Sequence, residues 1–131
     1  MDITGTPGPD SITGTLGDDT INGLGGADFI NATQGNDVID GGTGTDRLSI
    51  AMGVPERFAP ATGPRTYIIT TTSATDSSGT LNTSMTGIER ISFAAFSNGD
   101  YGDTFDASGF TTTATGTILT AFFGAGDNHI T

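Results

Sequence analysis

The chain has 131 residues, with 15 acidic side chains against four arginines, no lysine and a net charge of −11. That surface repels nucleic acid and anionic membranes and favours divalent cations. There is no cysteine, hence no disulfide framework and no thiolate metal site; no apolar run is long enough to span a bilayer, and the first residues do not read as a signal peptide.

From residue 5 to 49 the chain reads as five tandem nonapeptides in unbroken register: GTPGPDSIT, GTLGDDTIN, GLGGADFIN, ATQGNDVID and GGTGTDRLS. The fourth position is always glycine (Gly8, Gly17, Gly26, Gly35, Gly44). The sixth is always aspartate (Asp10, Asp19, Asp28, Asp37, Asp46). The eighth is always a large aliphatic (Ile12, Ile21, Ile30, Ile39, Leu48). Glycine opens every unit except the fourth, where Ala32 stands. A fixed short period means a solenoid, in which each unit buries one stripe against its neighbours. Glycine at the turn positions permits positive φ and close backbone approach. The last three positions, centred on Ile or Leu, suit a very short strand. One aspartate per turn then makes a row of carboxylates about 4.8 Å apart. Such a row repels itself unless a hard cation with oxygen ligands neutralises it. Asp-in-turn chemistry without metal is the plainer reading of the column, but it would admit Asn and Ser there as well.

These units resemble the RTX repeat, Gly-Gly-x-Gly-x-Asp-x-U-x with U a large aliphatic, which is a calcium-binding sequence. The resemblance implies an all-β fold, a parallel β-roll in which two nonapeptides make one coil. Calcium then sits between the loops of repeats n and n+2. One edge would carry Asp10, Asp28 and Asp46, the other Asp19 and Asp37, giving sites at Asp10–Asp28, Asp28–Asp46 and Asp19–Asp37. Gly8, Gly17, Gly26, Gly35 and Gly44 would form the turns around them. The second position departs from the family pattern at Thr6, Thr15, Leu24 and Thr33; only residues 41–46 carry both leading glycines. Pro7 and Pro9 stiffen the first turn and are expected to weaken the outermost site.

Beyond the repeats, residues 48–52 read as a strand leaving the last unit, 54–65 as a loop with three prolines, 66–72 as a strand and 73–80 as a polar turn or exposed loop. In GIERISF, residues 87–93, Ile91 and Phe93 fall on one face. NGDYGDTFD, residues 98–106, recovers the repeat signature with Asp103 in the aspartate column and Phe105 in the aliphatic column. Residues 117–123 form another expected strand. GAGDNHIT at the end sets Ile130 in the core column, Asn128 in the aspartate column and Asp127 one place early. Further metal ligands are therefore expected at Asp100 or Asp103, and at Asp127, for about three to five calcium ions in all. The organisation reads as a calcium-binding β-roll over 1–50, a loop and irregular strand segment over 51–86, and degenerate coils continuing the solenoid over 87–131. Asp18, Asp40, Arg47, Glu89, Arg90 and His129 read as solvated surface, and the phenylalanines at 93, 96, 105, 110, 122 and 123 as core.

One histidine offers no catalytic triad, and no His/Cys cluster offers a catalytic zinc, so no enzyme is expected. The leading functional reading is a calcium-binding structural module of a secreted bacterial protein. The core is thin, about one aliphatic per nine residues, so the block is expected to be disordered without calcium and to fold outside the cell when it binds. Export by an uncleaved-signal, type I-like route is what the resemblance implies. A second reading is a self-assembling surface-layer or filament subunit, a homo-oligomer joined through the solenoid ends. A third is an ice- or sugar-recognition face. It ranks lowest, because positions seven and nine form no regular threonine array.

Overall fold

The computed structural model describes residues 1–32, 34–52, 63–95, 103–111, 118–123 and 129–131. In chain order the strands are β1 Asp2–Thr4, β2 Ser11–Thr13, β3 Thr20–Asn22, β4 Gly25–Gly26, β5 Phe29–Ala32, β6 Gly35–Asp40, β7 Thr43–Gly44 and β8 Arg47–Met52. They continue as β9 Thr66–Ile69, β10 Ser73–Asp76, β11 Leu81–Thr86, β12 Arg90–Ala95, β13 Thr104–Asp106, β14 Ile118–Phe123 and β15 His129–Ile130. No helix occurs among them, and none is long and apolar enough to cross a membrane.

Two nonapeptides make one coil, as a period of eighteen in the strand pairing shows. Ile12, Ile30 and Leu48 stand in register along β2–β5–β8, and Ile3, Ile21 and Ile39 along β1–β3–β6, all parallel. Two large sheets result among the described residues, one ordered β1-β3-β6-β11-β10-β9-β13-β15 and the other β14-β12-β8-β5-β2, while β4 and β7 pair in parallel as a separate two-stranded sheet. Alternation within each three-residue strand sends the eighth-position side chain inward and its neighbours out. The core between the sheets is accordingly built from Ile12, Ile21, Ile30, Ile39 and Leu48, and extends through Met85, Ile91 and Phe105. Tyr67, Phe93 and Phe105 close it, with ring centroids 5.1 and 5.2 Å apart.

After β8 the coil is interrupted and then resumes. β11 pairs in parallel with β6, and β12 with β8, so residues 81–95 form the next coil. Between them β9 and β10 join the first sheet beyond β11. Both pairings of β10 are antiparallel, so β10 is the one reversed strand among the described residues, whose other pairings are parallel. Residues 73–80, expected from the sequence as a polar turn or exposed loop, instead begin with the strand Ser73–Asp76, and the turn is confined to the residues after it. Pairing on both sides offsets the weak strand propensity of Ser, Ala and Asp there.

Among the described residues the first sheet outruns the second by three strands. Ile130 lies on that overhang and is exposed at 63%. Its expected core column has no facing strand to bury it among the described residues. Phe93 and Phe105 are core as expected, and Phe110 packs partly buried against it. Phe96, Asp100, Asp127, Asn128 and most of the proline-rich loop lie outside the described residues, as do the side chains of Phe122 and Phe123.

Candidate metal-binding edges

The turns stack along two edges of the roll. Stacking is close enough that a Cβ on Gly26 would collide with the Gly8 backbone, and one on Gly44 with the Gly26 carbonyl oxygen; both glycines hold positive φ, 120° and 141°. The fourth-position glycines therefore set the spacing of the carboxylates.

The carboxylates of Asp28, Asp37 and Asp46 each span the gap to the preceding coil. The Asp10 amide donates to Asp28 Oδ1 at 2.9 Å, the Asp28 amide to Asp46 Oδ1 at 2.8 Å, and the Asp19 amide to Asp37 Oδ1 at 3.0 Å. The backbone follows the same ladder: Phe29, Val38 and Arg47 amides donate to the carbonyls of Asp10, Asp19 and Asp28. The structure thus brings Asp10, Asp28 and Asp46 together on one edge and Asp19 and Asp37 on the other. Asp19, Asp28, Asp37 and Asp46 are buried.

What their second oxygens meet depends on the second residue of the repeat. In repeat 1, Thr6 caps Asp10 Oδ2 through its amide at 2.5 Å and its hydroxyl at 3.0 Å. In repeat 2, Thr15 caps Asp19 Oδ2 in the same way at 2.6 and 3.1 Å. Leu24 and Gly42 hold positive φ, 70° and 90°, and neither has a hydroxyl. Asp28 Oδ2 and Asp46 Oδ2 are buried without a hydrogen-bond partner. A buried, unpartnered carboxylate oxygen is costly, and these two demand a cation or a proton.

Carbonyls converge on the same oxygens. A Cβ on Gly23 would collide with both Asp28 Oδ2 and the Gly41 carbonyl oxygen. One on Gly5 would lie 2.7 Å from Asp10 Oδ2 and 2.9 Å from the Gly23 carbonyl oxygen. The opening glycine therefore leaves room for a carboxylate oxygen and a carbonyl oxygen of the next coil to meet. Among the described residues no three His, Cys, Asp or Glu side chains form a metal-binding group. The donor set is carboxylate plus carbonyl, all oxygen, which fits a hard cation such as calcium rather than zinc.

Protonation reflects the crowding. Burial pushes the Asp37 carboxyl up to about 6; the charges of Asp19 and Asp18 add to the rise and the Asp19 amide opposes it. Burial also raises Asp46, with the carboxylates of Asp28, Glu89 and Asp40 adding to it. Asp18 is exposed and held below its usual value by the amide and side chain of Asn36.

Two residues that follow the repeats stand in the aspartate slot. Asp103 is buried; the Arg65 amide donates to its Oδ1 at 2.9 Å, and its carbonyl accepts from the His129 amide at 2.8 Å. Its neighbour across the coil is thus Arg65 rather than a second carboxylate, and it stands apart from the row of repeats. Glu89, read from the sequence as a solvated charge, instead accepts the Asp46 amide on Oε2 at 2.7 Å. Its GIE turn carries no glycine–aspartate signature, so only register could have found it. Arg47, Arg90 and His129 are exposed, as read.

The family model of the RTX calcium-binding nonapeptide repeat matches residues 4–39 and 22–49, in four copies. No curated protein and no solved structure matches the chain. The match and the roll geometry agree on the same turns, and residues 4–49 are RTX calcium-binding nonapeptide repeats, a structural calcium-binding family rather than an enzyme family.

Proposed function

We propose that the chain is a calcium-binding structural module whose repeat block folds when calcium enters the two edges. Asp10, Asp28 and Asp46 serve one edge and Asp19 and Asp37 the other, with the glycine turns supplying carbonyl oxygens. The observation that carries this reading is the pair of buried, unpartnered oxygens, Asp28 Oδ2 and Asp46 Oδ2, beside converging carbonyls. Calcium supplies a positive charge to the unpartnered oxygens of Asp28 and Asp46. Weak sites, about 10⁻⁴ to 10⁻³ M as in extracellular modules, would leave the chain unfolded in a low-calcium cytoplasm and fold it after export from a bacterial cell. The role is architectural and no catalysis is assigned to it.

The test is Asp28→Asn combined with Asp46→Asn. Asparagine keeps an acceptor for the Asp10 and Asp28 amides but removes the charge. Calcium affinity by titration calorimetry is expected to fall at least about tenfold, the scale of a lost charged ligand. In chelator the variant is expected to be more stable than the parent. An unchanged affinity would refute the assignment.

A second reading, end-to-end assembly, rests on the sheet ends. Among the described residues β1 and β15 each pair on one side only, as do β2 and β14, and open edges template further strands. Sedimentation velocity across a calcium titration tests it: growth of large particles supports assembly, and a monomer throughout removes it.

A further inference from the structure

We propose that Glu89 completes a further cation site on the first edge, beyond the matched repeats, between Asp46 and the turn Gly87–Glu89, and that it takes calcium or a similar hard divalent cation. The inference rests on the calcium reading of the edges and extends it to residues outside 4–49.

Register places the turn. Asp40 pairs with Thr86 and Arg47 with Arg90, so residues 87–89 replace the six residues 41–46 of the coil below. Gly87 takes the place of Gly41, and Glu89 that of Asp46. Glu89 also reproduces both hydrogen bonds that define the aspartate slot. Its carboxylate accepts the Asp46 amide at 2.7 Å, and its carbonyl accepts the Ile118 amide at 2.9 Å. The turn is three residues shorter than a repeat turn, and the extra methylene of glutamate restores the reach to the coil below.

The gap below Glu89 holds an oxygen with nothing to bind. Asp46 is fully buried. Its Oδ1 is engaged by the Asp28 amide, while its Oδ2 has no hydrogen-bond partner. That free oxygen faces the next coil: a Cβ on Gly41 would lie 2.9 Å from Asp46 Oδ2 and would collide with the Gly87 carbonyl oxygen. The same carboxylate–carbonyl convergence occurs over Gly23 between Asp28 and Gly41. Two carboxylates and a carbonyl are hard oxygen donors, and calcium accepts about six to eight of them. The second edge lacks this extension, because the residue in register with Asp37 is Thr83, a neutral hydroxyl.

Equilibrium dialysis of the full chain against calcium-45 tests the assignment by counting ions at saturation. Glu89→Gln keeps the length and an acceptor for the Asp46 amide. It is expected to bind one ion fewer than the parent while keeping the calcium-induced strand signal of the repeats. An unchanged count overturns the inference and leaves Glu89 a capping carboxylate only. A parent that binds no calcium at all overturns the calcium reading as well, whereas a parent that binds it beside an unaltered Glu89→Gln overturns this inference alone. Should the variant not fold, crystals of the parent grown with strontium give a second reading. An anomalous peak is expected in contact with Asp46 Oδ2, the Gly87 carbonyl and Glu89, and peaks confined to the repeats overturn it.

Discussion

Leu24 holds φ at 70°, the one non-glycine residue with positive φ among those described, at the repeat position where Gly42 holds 90°. An L-residue there is strained by about 1–2 kcal/mol, and the side chain is exposed at 42%, so it recovers little by burial. Leu24→Gly is therefore expected to stabilise the calcium-bound protein by about 1 kcal/mol, after the larger entropy loss of glycine is deducted. Denaturant unfolding in saturating calcium checks it. Asp37 sets a pH dependence. Its carboxyl is pushed up to about 6 in the folded chain from an ordinary 3.8. Between about pH 4 and 6 the folded state binds more protons than the unfolded one, so stability falls as pH rises. Hydrogen bonds from Ser78, Leu81 and Thr80 outweigh burial at Asp76 and lower it, so its contribution is lost only below 3.8. The metal-free chain is expected to be a coil at pH 7 and to show more strand signal at pH 4, and calcium to add the most strand signal at pH 7. Far-UV circular dichroism in chelator and in calcium at both pH values decides this. At this scale the sequence column named the repeat carboxylates, since a strict period leaves few placements. It did not distinguish capped from uncapped oxygens, which depends on whether the second residue carries a hydroxyl and which φ it adopts.

Among the elements, the five repeat strands were legible because each has one inward aliphatic at a fixed interval. The segment after β8 was not, because its pairing is set by tertiary contacts. β10 owes its place to β9 and β11, and Asp76 fixes the turn that follows. Its Oδ1 accepts the Leu81 amide at 2.9 Å, and its Oδ2 accepts the hydroxyls of Thr80, at 3.1 Å, and Ser78, with the Arg65 guanidinium 3.6 Å away. That carboxylate is satisfied by the protein, in contrast to Asp28 and Asp46. Asp76→Ala removes the acceptor of the Leu81 amide and the carboxylate beside the Arg65 guanidinium. It is expected to destabilise the protein by about 3 kcal/mol without changing the number of calcium ions bound. Chemical denaturation beside calcium-45 dialysis separates the two effects. GIERIS shows the converse limit: its place in the column follows from β12 pairing with β8, which no spacing of nine announces.

For the whole molecule the governing fact is an excess of negative charge around a narrow core. Each of the two large sheets buries one row of aliphatics through the repeats, and the core is widened by Tyr67, Phe93 and Phe105 beyond them. On the proposed reading, the buried carboxylates of both edges oppose folding until a cation joins them. Fold and metal are thus one equilibrium in this account. The most direct test is far-UV circular dichroism of the full chain, titrated from chelator to about 10 mM calcium, above the range of weak sites, with magnesium in parallel. A coil spectrum is expected in chelator and a strand spectrum at millimolar calcium, with no such change in magnesium. A strand spectrum already present in chelator and indifferent to calcium would contradict it.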